Sequence, residues 1–166
     1  MSALAQEVVR LLRGAHHTLA VAETCTGGML SADITSVPGS SSVLIGGLVP
    51  YADSVKIGLL GIDSDLIKRH GSVSGEVALA LARSVRERLG ASIGLAITGI
   101  AGPDGARPGK PVGLVFIALV DALNKNHVER HEWVGDRDSN RQETVNRALE
   151  MLQLILSAPA ELTRYI

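Results

Sequence analysis

Residues 18–29 read TLAVAETCTGGM, and the fold follows from how this stretch is parsed. Thr18 to Glu23 is short and apolar, the composition of a buried strand. Thr24 to Gly28 holds only small side chains and two glycines, and Met29 to Thr35 can then continue as a helix. Strand, tight turn and helix in immediate succession make a unit of a layered α/β domain, and such a turn aims backbone N–H groups at a ligand.

On the amino side, Leu4, Val8, Leu11 and Leu12 recur at helical spacing through residues 3 to 13, and the chain turns at Gly14. On the carboxyl side, Pro38 to Ser42 is a turn, Val43 to Tyr51 a second apolar run, and Val55 to Leu60 and Leu66 to Lys68 short helical pieces. Ser74 is placed to cap a stronger helix. In it Val77, Leu81, Val85 and Leu89 fall four apart, with Glu76 in the first turn and Arg86 and Arg88 near the end, as the helix dipole favours. Ser92 to Thr98 reads as a strand, and residues 99 to 111 carry too much Gly and Pro for any regular element. Gly113 to Asp121 and Asn126 to Trp133 read as consecutive strands, and Gly135 to Asp138 leads into a closing helix through about Leu156. The order predicts a single-domain layered α/β fold, a mixed sheet flanked by helices.

Composition narrows the function. At 166 residues and 46% hydrophobic content, the chain suits one domain over 1–166, with its core at about 5–157. Sixteen Lys and Arg against seventeen Asp and Glu leave a net charge of -1, so no whole-chain field draws a nucleic-acid backbone or an anionic membrane. Aromatic content is 2%, too little for a base-stacking surface, so nucleic acid is not an expected partner. Cys25 is the only cysteine, which excludes an intrachain disulfide and fits a reducing compartment. His16, His17, His70, His127 and His131 show no metal-ligand spacing, so no metal and no cofactor are expected. The amino end lacks a signal-peptide pattern and no run approaches the ~20 apolar residues of a membrane span, so the expected location is the cytoplasm.

Three segments concentrate chemistry where predicted strands end or helices begin: Ala22 to Gly28, Thr98 to Gly105, and Gly135 to Arg137. Between them lie Pro38-Gly39-Ser40-Ser41, Tyr51 with Lys56 five residues on, His70 to Ser74, and Lys110-Pro111-Val112-Gly113. In this order the motifs closely resemble the CinA C-terminal family, whose pattern runs A-E-S-x-T-G-G, P-G-S-S, Tyr and Lys, H-G-x-V-S, [ST]-G-I-A-G-P, K-P-V-G and G-D-R. The resemblance covers residues 5 to 157 and is to the free-standing form. It implies hydrolysis of nicotinamide mononucleotide to nicotinic acid mononucleotide and ammonia, without a metal. By the same resemblance the catalytic set is Thr24, Tyr51, Lys56, Thr98 and Arg137. Substrate contacts are expected at Thr26, Gly27, Gly28, Ser41, Gly99 and Gly102. One position departs from the family pattern: Thr24 stands where the family has serine.

Amide hydrolysis needs a nucleophile, an acceptor for its proton, donors for the oxyanion and an acid for the departing ammonia. The Thr24 hydroxyl can supply the first, and with no histidine in the motifs Lys56 is the natural base, provided its pKa falls from ~10.4. Tyr51 can relay a proton or orient Lys56. Arg137 can lower the lysine pKa or bind a phosphate, and the sequence leaves both roles open. The γ-methyl of Thr24 restricts its rotamer, so three outcomes stand: a slower nucleophile, replacement by Thr26 or Thr98, or binding without turnover, as in a non-catalytic nucleotide-binding module. Read alone, Lys56 would be a surface lysine, Arg137 a surface charge and Cys25 inert packing; the run of matches promotes the first two. Residues 105 to 111 miss the spacing of a phosphate-binding P-loop, which excludes an ATPase. A small-molecule nucleotide is the expected partner, and a homo-oligomer the default assembly.

Overall fold

The computed structural model describes residues 2–121 and 123–158; the last eight residues of the domain expected over 1–166 lie outside them. Among the described residues six helices and a five-stranded mixed sheet follow in the order α1 (Ala3–Gly14), β1 (Leu19–Glu23), α2 (Met29–Thr35), β2 (Leu44–Leu48), α3 (Asp53–Leu60), α4 (Ser64–His70), α5 (Gly75–Leu89), β3 (Ile93–Gly99), β4 (Leu114–Val120), β5 (Asn126–Glu132) and α6 (Arg137–Ser157). A short 3-10 turn at Ser40–Ser42 precedes β2. The apolar run expected through Tyr51 ends as a strand at Leu48, ahead of Pro50, which has no N–H to continue a ladder.

The sheet order is β2-β1-β3-β4-β5. β1 lies parallel to both β2 and β3, while β4 and β5 run antiparallel. Alternation along the strands sorts the core into two layers. Leu19 and Val21 of β1, Leu95 and Ile97 of β3, and Ile117 and Leu119 of β4 face the buried sides of α1, α2 and α6. Each such side chain taken out of water is worth about 1.5–3 kcal/mol. On the opposite face Ala20, Ala22, Ala96 and Ala118 meet Val77, Leu81 and Val85 of α5. These small residues let α5 lie close on the sheet. At Gly94 of β3 an added Cβ would stand 2.0 Å from the Ala82 carbonyl oxygen, so the helix backbone rests directly on the strand.

Local chemistry fixes the helix starts. The Ser2 hydroxyl accepts from Ala5 N–H, that of Ser74 from Val77 N–H, and the Asp136 carboxylate from Ser139 N–H. The buried stripe of α1 is Ala5, Val8, Val9 and Leu12; Val8 and Leu12 are buried as expected, while Leu4 and Leu11 are half-buried. No helix among the described residues is long and apolar enough to cross a membrane.

Candidate active site

The chain leaves β1 toward β2 on one side, and β3 leads to β4 on the other, so a crevice opens at the shared carboxyl end of β1 and β3. A cavity of about 400 Å³ occupies it. The turn after β1 contributes Thr24 and Cys25, α3 and the residues before it Tyr51, Asp53 and Lys56, and the α4–α5 loop Ser72. The end of β3 and the loop to β4 add Thr98 to Gly102, Arg107 and Lys110, and α6 begins with Arg137. Thr24, Tyr51, Lys56, Thr98 and Arg137, from separate parts of the sequence, thus line one cavity.

The turn that presents Thr24 is built by a buried acid. Glu23 is fully buried, and its carboxylate accepts from the N–H groups of Gly28, Leu30 and Ser31 and from the Ser31 hydroxyl at 2.7–3.1 Å. It neutralises the open amino end of α2 from inside the protein. Gly27 and Gly28 carry φ of 61° and 96°, a left-handed pair that residues with a Cβ resist. From α6, the Arg141 Nε and Nη2 groups donate to the carbonyls of Cys25 and Thr26 at 3.1 and 3.0 Å, fixing the turn from the other side.

The Thr24 hydroxyl donates to the Ile97 carbonyl at 3.0 Å and is 6% exposed, at the cavity floor. Lys56 is 3% exposed, and its ammonium donates to the Tyr51 carbonyl at 3.0 Å and to Asp53 Oδ1 at 2.9 Å. Asp53 also accepts from the Ser72 hydroxyl. Burial pushes the Asp53 carboxyl up, but the Ser72 and Lys56 hydrogen bonds and the charges of Lys56 and Arg107 outweigh it and hold it below its ordinary value. The Thr98 hydroxyl donates to the Ser72 carbonyl at 2.8 Å, which ties the loop to β3. Arg137 donates to the Gly102 carbonyl at 2.8 Å and makes a long 3.5 Å contact with the Tyr51 hydroxyl. Burial pushes the Cys25 thiol up to about 11, which leaves little thiolate at neutral pH.

The expected substrate contacts divide. Gly99 and Gly102 line the cavity. Thr26 is fully buried away from it, with a hydroxyl that has no partner among the described residues; Gly27 and Gly28 shape the turn behind Thr24. Ser41 is exposed before β2, on the side of the amino ends of β1 and β2 and away from the cavity. Asp53, Ser72 and Arg107 also line the cavity, although no motif in the sequence marks any of them individually as a site residue. Asp53 and Lys56 look like an ordinary helix-surface pair three residues apart, and Arg107 sits in a loop without periodicity.

The CinA C-terminal domain model matches residues 1–156. The chain belongs to the CinA C-terminal domain family. It is 46% identical over 159 residues to a CinA-like protein of Myxococcus xanthus, covering 95% of this chain and 38% of that protein. It is 49% identical over 146 residues to a CinA-like protein of Citrifermentans bemidjiense, covering 88% of this chain and 35% of that one. The chain therefore spans little more than a third of the length of these relatives. Among solved structures, competence/damage inducible protein CihA from Agrobacterium tumefaciens superposes with a TM-score of 0.89 at 33% identity, over 93% of this chain and 94% of that one. A CinA superfamily protein from Klebsiella pneumoniae gives a TM-score of 0.90 at 28% identity, over 93% and 96%. The motif residues Thr24, Tyr51, Lys56, Thr98 and Arg137 of this CinA domain line the strand-end crevice.

Proposed function

We propose that this CinA domain hydrolyses the carboxamide of nicotinamide mononucleotide to nicotinic acid mononucleotide and ammonia. The supporting observation is the convergence of Thr24, Tyr51, Lys56, Thr98 and Arg137 on one cavity. Its charge suits an anionic ligand. Lys56, Arg107, Lys110 and Arg137 line it against Asp53 and Asp104, a local positive excess in a chain of net charge -1.

In the proposed reaction the Thr24 oxygen turns from the Ile97 carbonyl and attacks the amide carbon. Lys56, once its ammonium has lost a proton to solvent, takes the hydroxyl proton. The tetrahedral oxyanion collapses with loss of the amine, which leaves as ammonia after accepting that proton. Water then attacks the resulting threonyl ester, releasing the acid and restoring the hydroxyl. Tyr51 stands at the cavity mouth, where its carbonyl holds Lys56 and its hydroxyl faces Arg137.

A second reading, a nucleotide-binding module without turnover, draws support from the same residue: the Thr24 hydroxyl rests on a main-chain carbonyl, not on a base. One experiment separates the two. Ammonia release from nicotinamide mononucleotide is measured on purified, chelator-treated protein, with free nicotinamide as control. Turnover of the nucleotide establishes the amidase; absence of turnover with a nucleotide-dependent rise in melting temperature establishes the binding module.

A further inference from the structure

The cations around the cavity differ in what already holds them. Lys56 is engaged by Asp53 and the Tyr51 carbonyl. The Lys110 ammonium donates to the carbonyls of His70 and Val73, and Arg137 to that of Gly102. Arg107 alone among them has no side-chain hydrogen bond or ion pair to any described residue, yet it lines the cavity and its charge reaches Asp53. A guanidinium without a partner at the mouth of a cationic cavity is a free docking point for a planar pair of anionic oxygens.

The backbone beneath Arg107 is fixed. Arg107 N–H donates to the Lys110 carbonyl at 2.9 Å and Lys110 N–H returns to the Arg107 carbonyl at 2.8 Å. Pro108 and Gly109 form the two-residue turn between them, with Gly109 at φ 73° where a Cβ would be strained. Lys110 then pins one leg of this small hairpin to the α4–α5 loop through the His70 and Val73 carbonyls. The other leg carries Arg107 on a base that loses little freedom when a ligand arrives.

We infer that Arg107 is the specificity-determining residue that recognises the phosphate of the nucleotide, so that the cavity selects a phosphorylated over an unphosphorylated nicotinamide nucleoside. This rests on the proposed amidase reading for the reaction, but the selectivity itself can be read by binding alone. Arg137 is less suited to the role because it already donates to the Gly102 carbonyl and contacts the Tyr51 hydroxyl, which leaves fewer of its N–H groups free. Arg107 is exposed and makes no side-chain contact that the fold depends on, so replacing it is compatible with folding.

The test compares kcat/KM for nicotinamide mononucleotide and for its dephosphorylated riboside in the wild type, Arg107→Ala and Arg107→Lys. The ratio of nucleotide to riboside is expected to fall roughly tenfold to a hundredfold in Arg107→Ala, through KM, and less in Arg107→Lys. An equal fall for both ligands, or an unchanged ratio, overturns the inference. If the wild type releases ammonia from neither compound, the amidase reading has failed. The inference is then decided by calorimetric Kd values for the same two ligands: a preference for the nucleotide that Arg107→Ala abolishes supports it, and a preference that survives, or none in the wild type, overturns it.

Discussion

Lys56 Nζ lies 2.9 Å from Asp53 Oδ1, and the two partners differ sharply in burial: the lysine side chain is 3% exposed and the carboxylate 51%. The ammonium is buried while Asp53 stays half in water and holds the Ser72 hydroxyl as well. Because the folded Asp53 carboxyl titrates below its ordinary value, its contribution to stability is complete above that value and vanishes as pH falls through the lower, folded one. Asp53→Asn is therefore expected to be less stable than the wild type at neutral pH, with the gap closing as pH falls below the ordinary carboxylate range. Urea unfolding across that range checks it; a gap constant with pH would remove Asp53 as the source.

Thr24 tests whether the extra methyl limits the site. Its hydroxyl is held on the Ile97 carbonyl, and a β-branched side chain gives up that rotamer less readily than serine. Thr24→Ser is expected to raise kcat, by up to about 100-fold if the attacking oxygen is now misplaced by ~1 Å, with nucleotide affinity little changed. Thr24→Val, which keeps the shape and removes the oxygen, is expected to abolish ammonia release. Full activity in the valine variant would move the nucleophile elsewhere.

The fold and half of the site are legible in the sequence for separate reasons. Residues 18–28 declare themselves because a buried strand needs an apolar run and the left-handed backbone at Gly27 and Gly28 needs glycine, and both are local demands. Ser74 is equally legible as a cap. What is not legible depends on residues distant in sequence. Asp53 gains meaning only through Ser72, nineteen positions away, and Arg141 reaches the turn at Cys25 from across 116 positions. Ser41 shows the converse: it sits in a matched motif, yet register places it at the far end of β1 and β2.

Glu23 is the residue on which the presentation of Thr24 most depends. Its buried carboxylate satisfies three backbone N–H groups and one hydroxyl. Glu23→Gln keeps the volume but turns an amide donor toward some of those donors, so part of the set is left unsatisfied in a dry site. A loss of about 2–4 kcal/mol is expected, measured by urea unfolding at neutral pH. A loss below about 1 kcal/mol would mean that the backbone of α2 holds the turn without the acid.

Arg141 holds the same turn from outside, and its role is separable from stability. Its Nε and Nη2 groups meet the Cys25 and Thr26 carbonyls, so the fork sets the path of the chain just after Thr24. The guanidinium does not line the cavity, which makes it a positioning residue for Thr24 and not a ligand contact. Arg141→Ala frees both carbonyls at a partly exposed edge where water can replace the fork, so the fold should persist while the oxygen of Thr24 wanders. The expected signature is a fall in kcat of about tenfold to a hundredfold with KM nearly constant. Lysine, a single point charge, cannot serve two carbonyls in the same fixed geometry, so Arg141→Lys should recover only part of the loss. A parallel rise in KM would instead place Arg141 in ligand binding, and an unchanged kcat would show that Glu23 and the glycine pair position Thr24 without it.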